Sequence, residues 1–249
     1  MRVKVYGRVD EPAVAVVGSW DPLLPGHVSL FRRLRRYARH HSLASVVIHL
    51  EPSPARHLNG ALEWPTYDDV RARLAMVAAS GISASLLVRF RKQDLTAGAK
   101  EFIEAVTQHV KIDELWLGAQ QSLGSCEGGS DEAIQQVAKK HRITIARLPY
   151  SSLDGAGRKV REFLILGQLE QAVRIVGRSP VWSRPRSGFL RLPWRPGNYV
   201  AAPLSGPGGK SGKCFHLQLT GSGHIVPKCV WPDPAMSWLT FFRRAEPKG

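Results

Sequence analysis

Residues 13–27 read AVAVVGSWDPLLPGH. Ala13 to Gly18 is short, apolar and rich in valine, the pattern of a strand buried on both faces of a parallel sheet. It breaks at Gly18 into a Trp-Asp-Pro turn. Helical spacing follows at once: Leu30, Phe31, Leu34, Tyr37 and Ala38 recur on one face of residues 28–41, while Arg32, Arg33, Arg35, Arg36 and Arg39 largely take the other. The spacing predicts that those arginines form a solvated face. A strand, a glycine break and an amphipathic helix make the first unit of an α/β fold.

The same alternation continues outward from this stretch. SVVIHL at 45–50 reads as a strand, DDVRARLAMVAASG at 68–81 as a helix with a glycine stop, and ASLLVRF at 84–90 as another strand. Helices over 100–108 and 130–141 and strands over 114–117 and 143–148 complete five strands, with Trp116 and Leu117 expected in the core. The economical fold through about residue 150 is a doubly wound parallel sheet. Helical segments follow over 158–177. From Ser179 the composition turns to Pro, Gly and aromatic residues, with short strands expected at 197–202, 214–219 and 237–242, hence a small β-rich C-terminal region. The domain boundary is expected at 178/179, giving domains 1–178 and 179–249.

Composition narrows the function. At 249 residues, 43% hydrophobic and 22% charged, the chain has the make-up of a globular protein with a sizeable core, which excludes a fibrous or wholly disordered chain. The formal net charge of +15 favours anionic partners without choosing among nucleic acid, phosphorylated metabolites and acidic lipid headgroups. Cys126, Cys214 and Cys229 are odd in number and far apart, so neither a disulfide framework nor a four-cysteine zinc site is expected. No 18-residue apolar run and no leader pattern occurs, and a soluble, unprocessed cytoplasmic protein with no membrane contact is the expectation.

The candidate phosphate site lies at the first turn. In open parallel sheets ligands bind beyond the carboxyl ends of the strands, near the switch in strand order. Gly18 permits close backbone approach, Asp21 and Pro22 turn the chain, and Gly26 and His27 open the next helix, where unpaired N–H groups and the helix dipole receive phosphate. His27 adds a directed donor. Ordinary turn chemistry and a surface histidine are the competing explanation of the same residues. The turn lacks the G-x-G-x-x-G of a Rossmann site, and APLSGPGGKSGK at 202–213 lacks the spacing of a P-loop.

GSWDPLLPGH at 18–27 resembles the GxFDGVHxGH loop of the bacterial bifunctional riboflavin kinase/FAD synthetase family, specifically its FMN adenylyltransferase domain in the HxGH nucleotidyltransferase superfamily. The second histidine is His27, and Leu24 stands where the first would be. VVIHLEPSP at 46–54 is similar to the stretch around TFEPHP, with Ser53 in place of histidine, and RFRKQDLTAGAKEFIEAV at 89–106 to PFxxxFAxLSxxEFI. LWLGAQQSLG at 115–124 answers to VVGxDFRFG, keeping Gly118 and Gly124. Ala156 to Arg161 answers to SSTxIR, keeping Arg161 without the serines. LPWRPGNYVAA at 192–202 loosely resembles the family's LPxGVYA strand, whereas GRxLGFPTAN has no counterpart, so riboflavin kinase activity is not expected.

The resemblance implies transfer of AMP from ATP to FMN, with Mg²⁺, giving FAD and pyrophosphate. It implies catalytic roles for His27 and Arg161 and a nucleotide site formed by Gly18, Asp21, Gly26, His27, Gly118, Lys159 and Arg161. No dedicated protein metal cage is visible. Two alternatives stay open: a flavin- or nucleotide-binding regulatory descendant that no longer transfers AMP, and a nucleotidyltransferase with another phosphorylated acceptor. The expected partners are a nucleotide and a flavin phosphate, with a weak oligomeric contact through a basic patch. Nucleic-acid binding ranks lower, since no recognised reading motif is present.

Overall fold

The computed structural model describes residues 1–58, 65–119, 121–123, 129–149, 155–184, 192–206, 209, 212–220 and 237–245. The chain forms two compact units, the first from Met1–Trp20, Gly26–Leu62 and Val77–Ser152, the second from Asp21–Pro25, Glu63–Met76 and Leu153–Gly249. Among the described residues no helix is long and apolar enough to cross a membrane.

The first unit holds a six-stranded sheet. Its strands are β1 (Arg2–Gly7), β2 (Ala13–Gly18), β3 (Ala44–Glu51), β4 (Ala84–Arg89), β5 (Ile112–Leu117) and β6 (Thr144–Arg147), in the order β1-β4-β3-β2-β5-β6. All neighbours from β4 to β6 pair in parallel, and β1 pairs antiparallel with β4. The chain steps from β2 to β3 and β4, then returns to the other side of β2 for β5. The switch in strand order therefore falls beside β2, the strand that leads into the candidate phosphate turn.

Helices cover both faces, as a doubly wound sheet requires. These are α1 (Pro25–His40), α4 (Ala99–Thr107) and α5 (Asp131–His141); the short α2 (Pro54–Leu58) follows β3, and α3 (Val70–Ala79) packs through Ala72 and Met76 with Val181 and Leu204 of the second unit. Ala13, Ala15 and Val17 of β2 pack with Val46, Ile48, Leu86, Val88, Leu115 and Leu117 against Phe102, Ile103 and Val106 of α4 and Ile134 and Ala138 of α5. On the opposite face α1 lies over β5: Tyr37 meets Trp116 with ring centroids 5.3 Å apart. Glu114 accepts from both the Tyr37 hydroxyl at 2.6 Å and the Trp116 indole at 2.7 Å. Trp116 and Leu117 are buried, and Arg32, Arg33, Arg35, Arg36 and Arg39 are exposed.

The sixth strand is the main addition to the expected sheet. RVKVYG places Val3 and Val5 inward and its charged residues outward, a half-exposed edge rather than a continuous apolar run. The charges on this edge also discourage pairing with another chain.

The second unit contains α6 (Ala156–Leu166), α7 (Leu169–Val176) and an antiparallel sheet of β7 (Val181–Ser183), β8 (Gly197–Leu204), β9 (Phe215–Leu219) and β10 (Trp238–Ala245), in the order β7-β10-β8-β9. Its core joins Leu24, Tyr67, Val160, Leu164, Leu169 and Ala172 to Trp182, Trp194, Tyr199 and Phe241. Each buried indole N–H has a partner: Trp182 donates to the Tyr67 carbonyl at 2.9 Å and Trp194 to the Thr66 carbonyl at 2.8 Å. Gly167 and Gly177 end α6 and α7 at φ 73° and 77°, a conformation that strains other residues.

Leu115, on β5 beside Ala15 of β2, is fully buried in the core that includes Phe102, Ile103 and Val106 of α4. Leu115→Ala is expected to cost about 2–5 kcal/mol through lost burial and the cavity left behind. Urea unfolding checks this; a loss below about 1 kcal/mol would mean that this layer of the core is not packed as described.

Candidate functional site

In the first unit the turn after β2 is closed by its own tryptophan. Trp20 sits at φ 53° and is buried, and its indole folds back over Gly18 so that a Cβ on Gly18 would lie 2.9 Å from the ring. The indole N–H donates to the Ile48 carbonyl at 2.8 Å, which ties the turn to β3. Trp20 also meets His27 edge-on, with centroids 5.2 Å apart, and Phe31 at 5.1 Å. The Ser19 hydroxyl donates to the Ser53 hydroxyl at 3.0 Å, so Ser53 holds the same turn.

Gly26 and His27 lie in the first turn of α1, half-buried, behind Pro25 at the position where its fixed φ suits a helix start. N–H groups in a first helical turn lack intrahelical acceptors, and no acidic side chain occupies this one. Gly118 follows β5 and is differently engaged. Its N–H donates to the Gln121 side chain at 3.1 Å, and its carbonyl accepts from Arg147 at 2.9 Å. Gly124 lies outside the described residues, as does the Ser151-Ser152 pair.

His49, on β3, went unnoticed in the sequence pattern although it interrupts an otherwise apolar strand. It is fully buried, with Nε2 3.3 Å from the Ser85 hydroxyl. A histidine inside a run such as VVIHL is the signal that points to it.

In the second unit Asp21 and Arg161 are brought together. The Asp21 carbonyl accepts from the Arg161 guanidinium at 2.8 Å, and its Oδ1 accepts from the backbone N–H groups of Tyr67 at 3.0 Å and Asp68 at 3.3 Å. Burial pushes the Asp21 carboxyl up to about 6, with Asp68 adding to the rise and Arg73, Arg161 and the Tyr67 N–H opposing it. Burial likewise holds the Arg161 guanidinium below its ordinary value, against the pull of Asp21. Lys159 is exposed, two residues before Arg161 on α6. The first turn of α6 has Gly155 as its cap at φ 85°, with no side-chain cap bond. Leu24, at the position of the motif's first histidine, is 3% exposed and packs in the apolar core with Tyr67 and Val160.

A charged cluster that sequence patterns left unnoticed surrounds this loop. Asp68 is fully buried and accepts from both terminal nitrogens of Arg178, at 2.8 and 2.5 Å, and from the Val181 N–H at 2.8 Å. Asp69 caps α3 through Ala72 at 2.7 Å and accepts from the Ser183 hydroxyl and N–H. Arg73 is buried at 1% exposure. The aspartate pair ahead of a helical pattern, DDVRARL, is the trace these groups leave in sequence. Among the described residues no group of three or more His, Cys, Asp or Glu side chains is placed to hold a metal ion. The acidic groups here are committed to arginines and backbone N–H groups instead.

A family model described as FAD synthetase matches residues 7–160, more than half of the chain. A bifunctional riboflavin kinase/FMN adenylyltransferase from Buchnera aphidicola subsp. Acyrthosiphon pisum (strain APS) is 18% identical over 175 residues, covering 69% of this chain and 56% of the relative. The chain thus spans about half the length of that curated relative. Among solved structures, a macrolide-efflux protein from Streptococcus pneumoniae shares the fold with a TM-score of 0.64 at 16% identity, covering 97% of this chain and 88% of the other.

The raised Asp21 pKa carries a defined sign. Between the ordinary value of 3.8 and about 6 the folded state binds more protons at this carboxyl than the unfolded state does, so its contribution to stability falls as pH rises through that window. Asp21→Asn is therefore expected to flatten the decline of the urea midpoint between pH 4 and 6. Parallel wild-type and variant curves would contradict a buried, protonatable Asp21.

Proposed function

This chain belongs to the FAD synthetase family, and we propose that it transfers the AMP group of ATP to the phosphate of FMN, with release of pyrophosphate and formation of FAD. A phosphate oxygen of FMN attacks the α-phosphorus of ATP. The new P–O bond completes the FAD diphosphate as the bond from the α-phosphorus to the α,β-bridging oxygen breaks, and the electron pair leaves with pyrophosphate. The FMN phosphate is already ionised, so the step needs no protein nucleophile and no general base. Catalysis rests on alignment and on donors directed at developing charge.

The observation that carries this reading is the placement of Gly26 and His27 in the first turn of α1, directly after the strand at the sheet's switch point and inside the matched segment. The Gly26 N–H and the His27 side chain serve the ATP phosphates. Arg161 serves the leaving pyrophosphate, and the exposed Lys159, two residues earlier on α6, is the second cation proposed for it. Gly18 and Gly118 are proposed for the nucleotide site from their motif positions alone, since Trp20 covers Gly18 and Gln121 and Arg147 engage the Gly118 backbone, and Asp21 orders the loop. Since the described carboxylates form no metal cluster, Mg²⁺ would enter with the triphosphate, held by phosphate oxygens and water. Adenylyl transfer is assigned to residues 1–178, and the β region 179–249 has a supporting role.

A second reading is favoured by Leu24. With the first motif position committed to an apolar core and the Gly118 N–H committed to Gln121, a descendant that binds nucleotide or flavin without transferring AMP is the alternative. A changed acceptor is the third outcome, and a panel of phosphorylated acceptors identifies it.

The test is joint measurement of pyrophosphate and FAD from ATP, Mg²⁺ and FMN. The expected result is equal formation of both, with His27→Ala lowering kcat by about 10²–10³-fold, the usual consequence of losing one donor to a charged transition state. Arg161→Ala is expected to lower turnover and to loosen the Asp21 loop. Binding of FMN or ATP with neither product would favour the second reading, and unchanged turnover in folded His27→Ala would remove His27 from the site.

A further inference from the structure

The outer face of α1 has no part in the nucleotide chemistry, yet it is the most cationic helix surface described. PGHVSLFRRLRRYARH contains five arginines and no carboxylate. Arg32, Arg36 and Arg39 follow the i, i+4, i+7 spacing that aligns side chains along one face, spanning about 10 Å at 1.5 Å per residue. All three are exposed, and none takes part in an ion pair among the described residues. Their neighbours on α1 are otherwise engaged, Arg33 over the Trp116 ring at 5.6 Å and Arg35 toward the Ser80 carbonyl. The carboxylate that α1 does approach, Glu114, accepts from Tyr37 and Trp116 on the buried side.

We propose that this face binds the phosphate backbone of double-stranded nucleic acid, without sequence preference, through Arg32, Arg36 and Arg39. Three guanidiniums on a rigid helix present forked donors to a regular row of phosphates, and every basic residue in the row is arginine, the side chain that pairs best with phosphate oxygens. A single strand held by base stacking would need an exposed aromatic platform. Tyr37 is instead half-buried, stacked on His41 at 4.2 Å and bonded to Glu114. A membrane surface would need apolar side chains beside the arginines, and the large exposed hydrophobics described are Tyr6, Ile165 and Leu166, none of them on α1. Backbone contact requires no reading motif, since phosphates carry charge and spacing but no base identity.

The experiment is fluorescence anisotropy of the full chain with a labelled 20-base-pair duplex across a salt series. Binding at low salt is expected, with log K falling linearly against log salt and a slope of about −3 for three phosphates. Charge reversal by Arg32→Glu, Arg36→Glu and Arg39→Glu together is expected to weaken binding at least thirtyfold at low salt, and the milder triple change to Gln to weaken it in the same direction with an unchanged melting temperature. A charge-matched control, Lys139→Glu, Lys140→Glu and Arg142→Glu at the end of α5, is expected to stay within about threefold of wild type, as changes outside the contact leave its phosphate count intact. Absence of binding at low salt overturns the proposal, as does equal loss in both reversed triples, which would mark bulk charge. Stronger retention on anionic lipid vesicles than on duplex also overturns it and assigns the face to a membrane.

Discussion

Asp21 is bound from two sides, and the second unit is organised around that constraint. Its carboxylate takes two backbone N–H groups from 67–68, and its carbonyl takes Arg161 from α6. Three stretches far apart in sequence thereby meet in one polar cluster. Asp68 extends it to Arg178 and β7, and Asp69 fixes the start of α3 while holding Ser183. Removing one member of a buried charged set leaves its partners uncompensated, at a cost of about 3–5 kcal/mol, whereas the intact set contributes little net energy. Such a cluster serves less to raise stability than to fix which segments lie together.

The loop that Asp21 anchors joins β2 to α1, and its side chains show how the turn is reinforced. Trp20 closes over Gly18 and bonds to Ile48, Ser19 bonds to Ser53, and Leu24 is sunk in apolar surroundings. Two of these positions, 24 and 53, carry histidine in the motifs the sequence resembles. Here they hold the loop by packing and by a hydroxyl pair. The phosphate site proposed above is the first turn of α1 with His27, a backbone-dominated arrangement in which position would matter more than the number of charged groups.

Much of the first unit was legible because its strands are buried on both faces and its helices on one. AVAVVG, SVVIHL and ASLLVRF read as apolar runs, and the amphipathic spacing of α1, α4 and α5 is strong enough to place them within a few residues. β1 was not legible in this way, since a half-exposed edge strand has only Val3 and Val5 to mark it. The motif positions also gave the candidate residues, but not their engagements. The pairing of Arg161 with the Asp21 carbonyl and the burial of Leu24 against Tyr67 and Val160 depend on long-range geometry that local patterns do not encode. The Asp68–Arg178 pair escaped for the same reason, its members being 110 residues apart.

Nucleotide phosphates are proposed to meet the first turn of α1. Amide hydrogen exchange with and without a non-hydrolysable ATP analogue and Mg²⁺ tests it without requiring turnover. Slowed exchange is expected at the amides of Gly26, His27 and Val28. Unchanged exchange there at saturating analogue, with protection elsewhere, would contradict it.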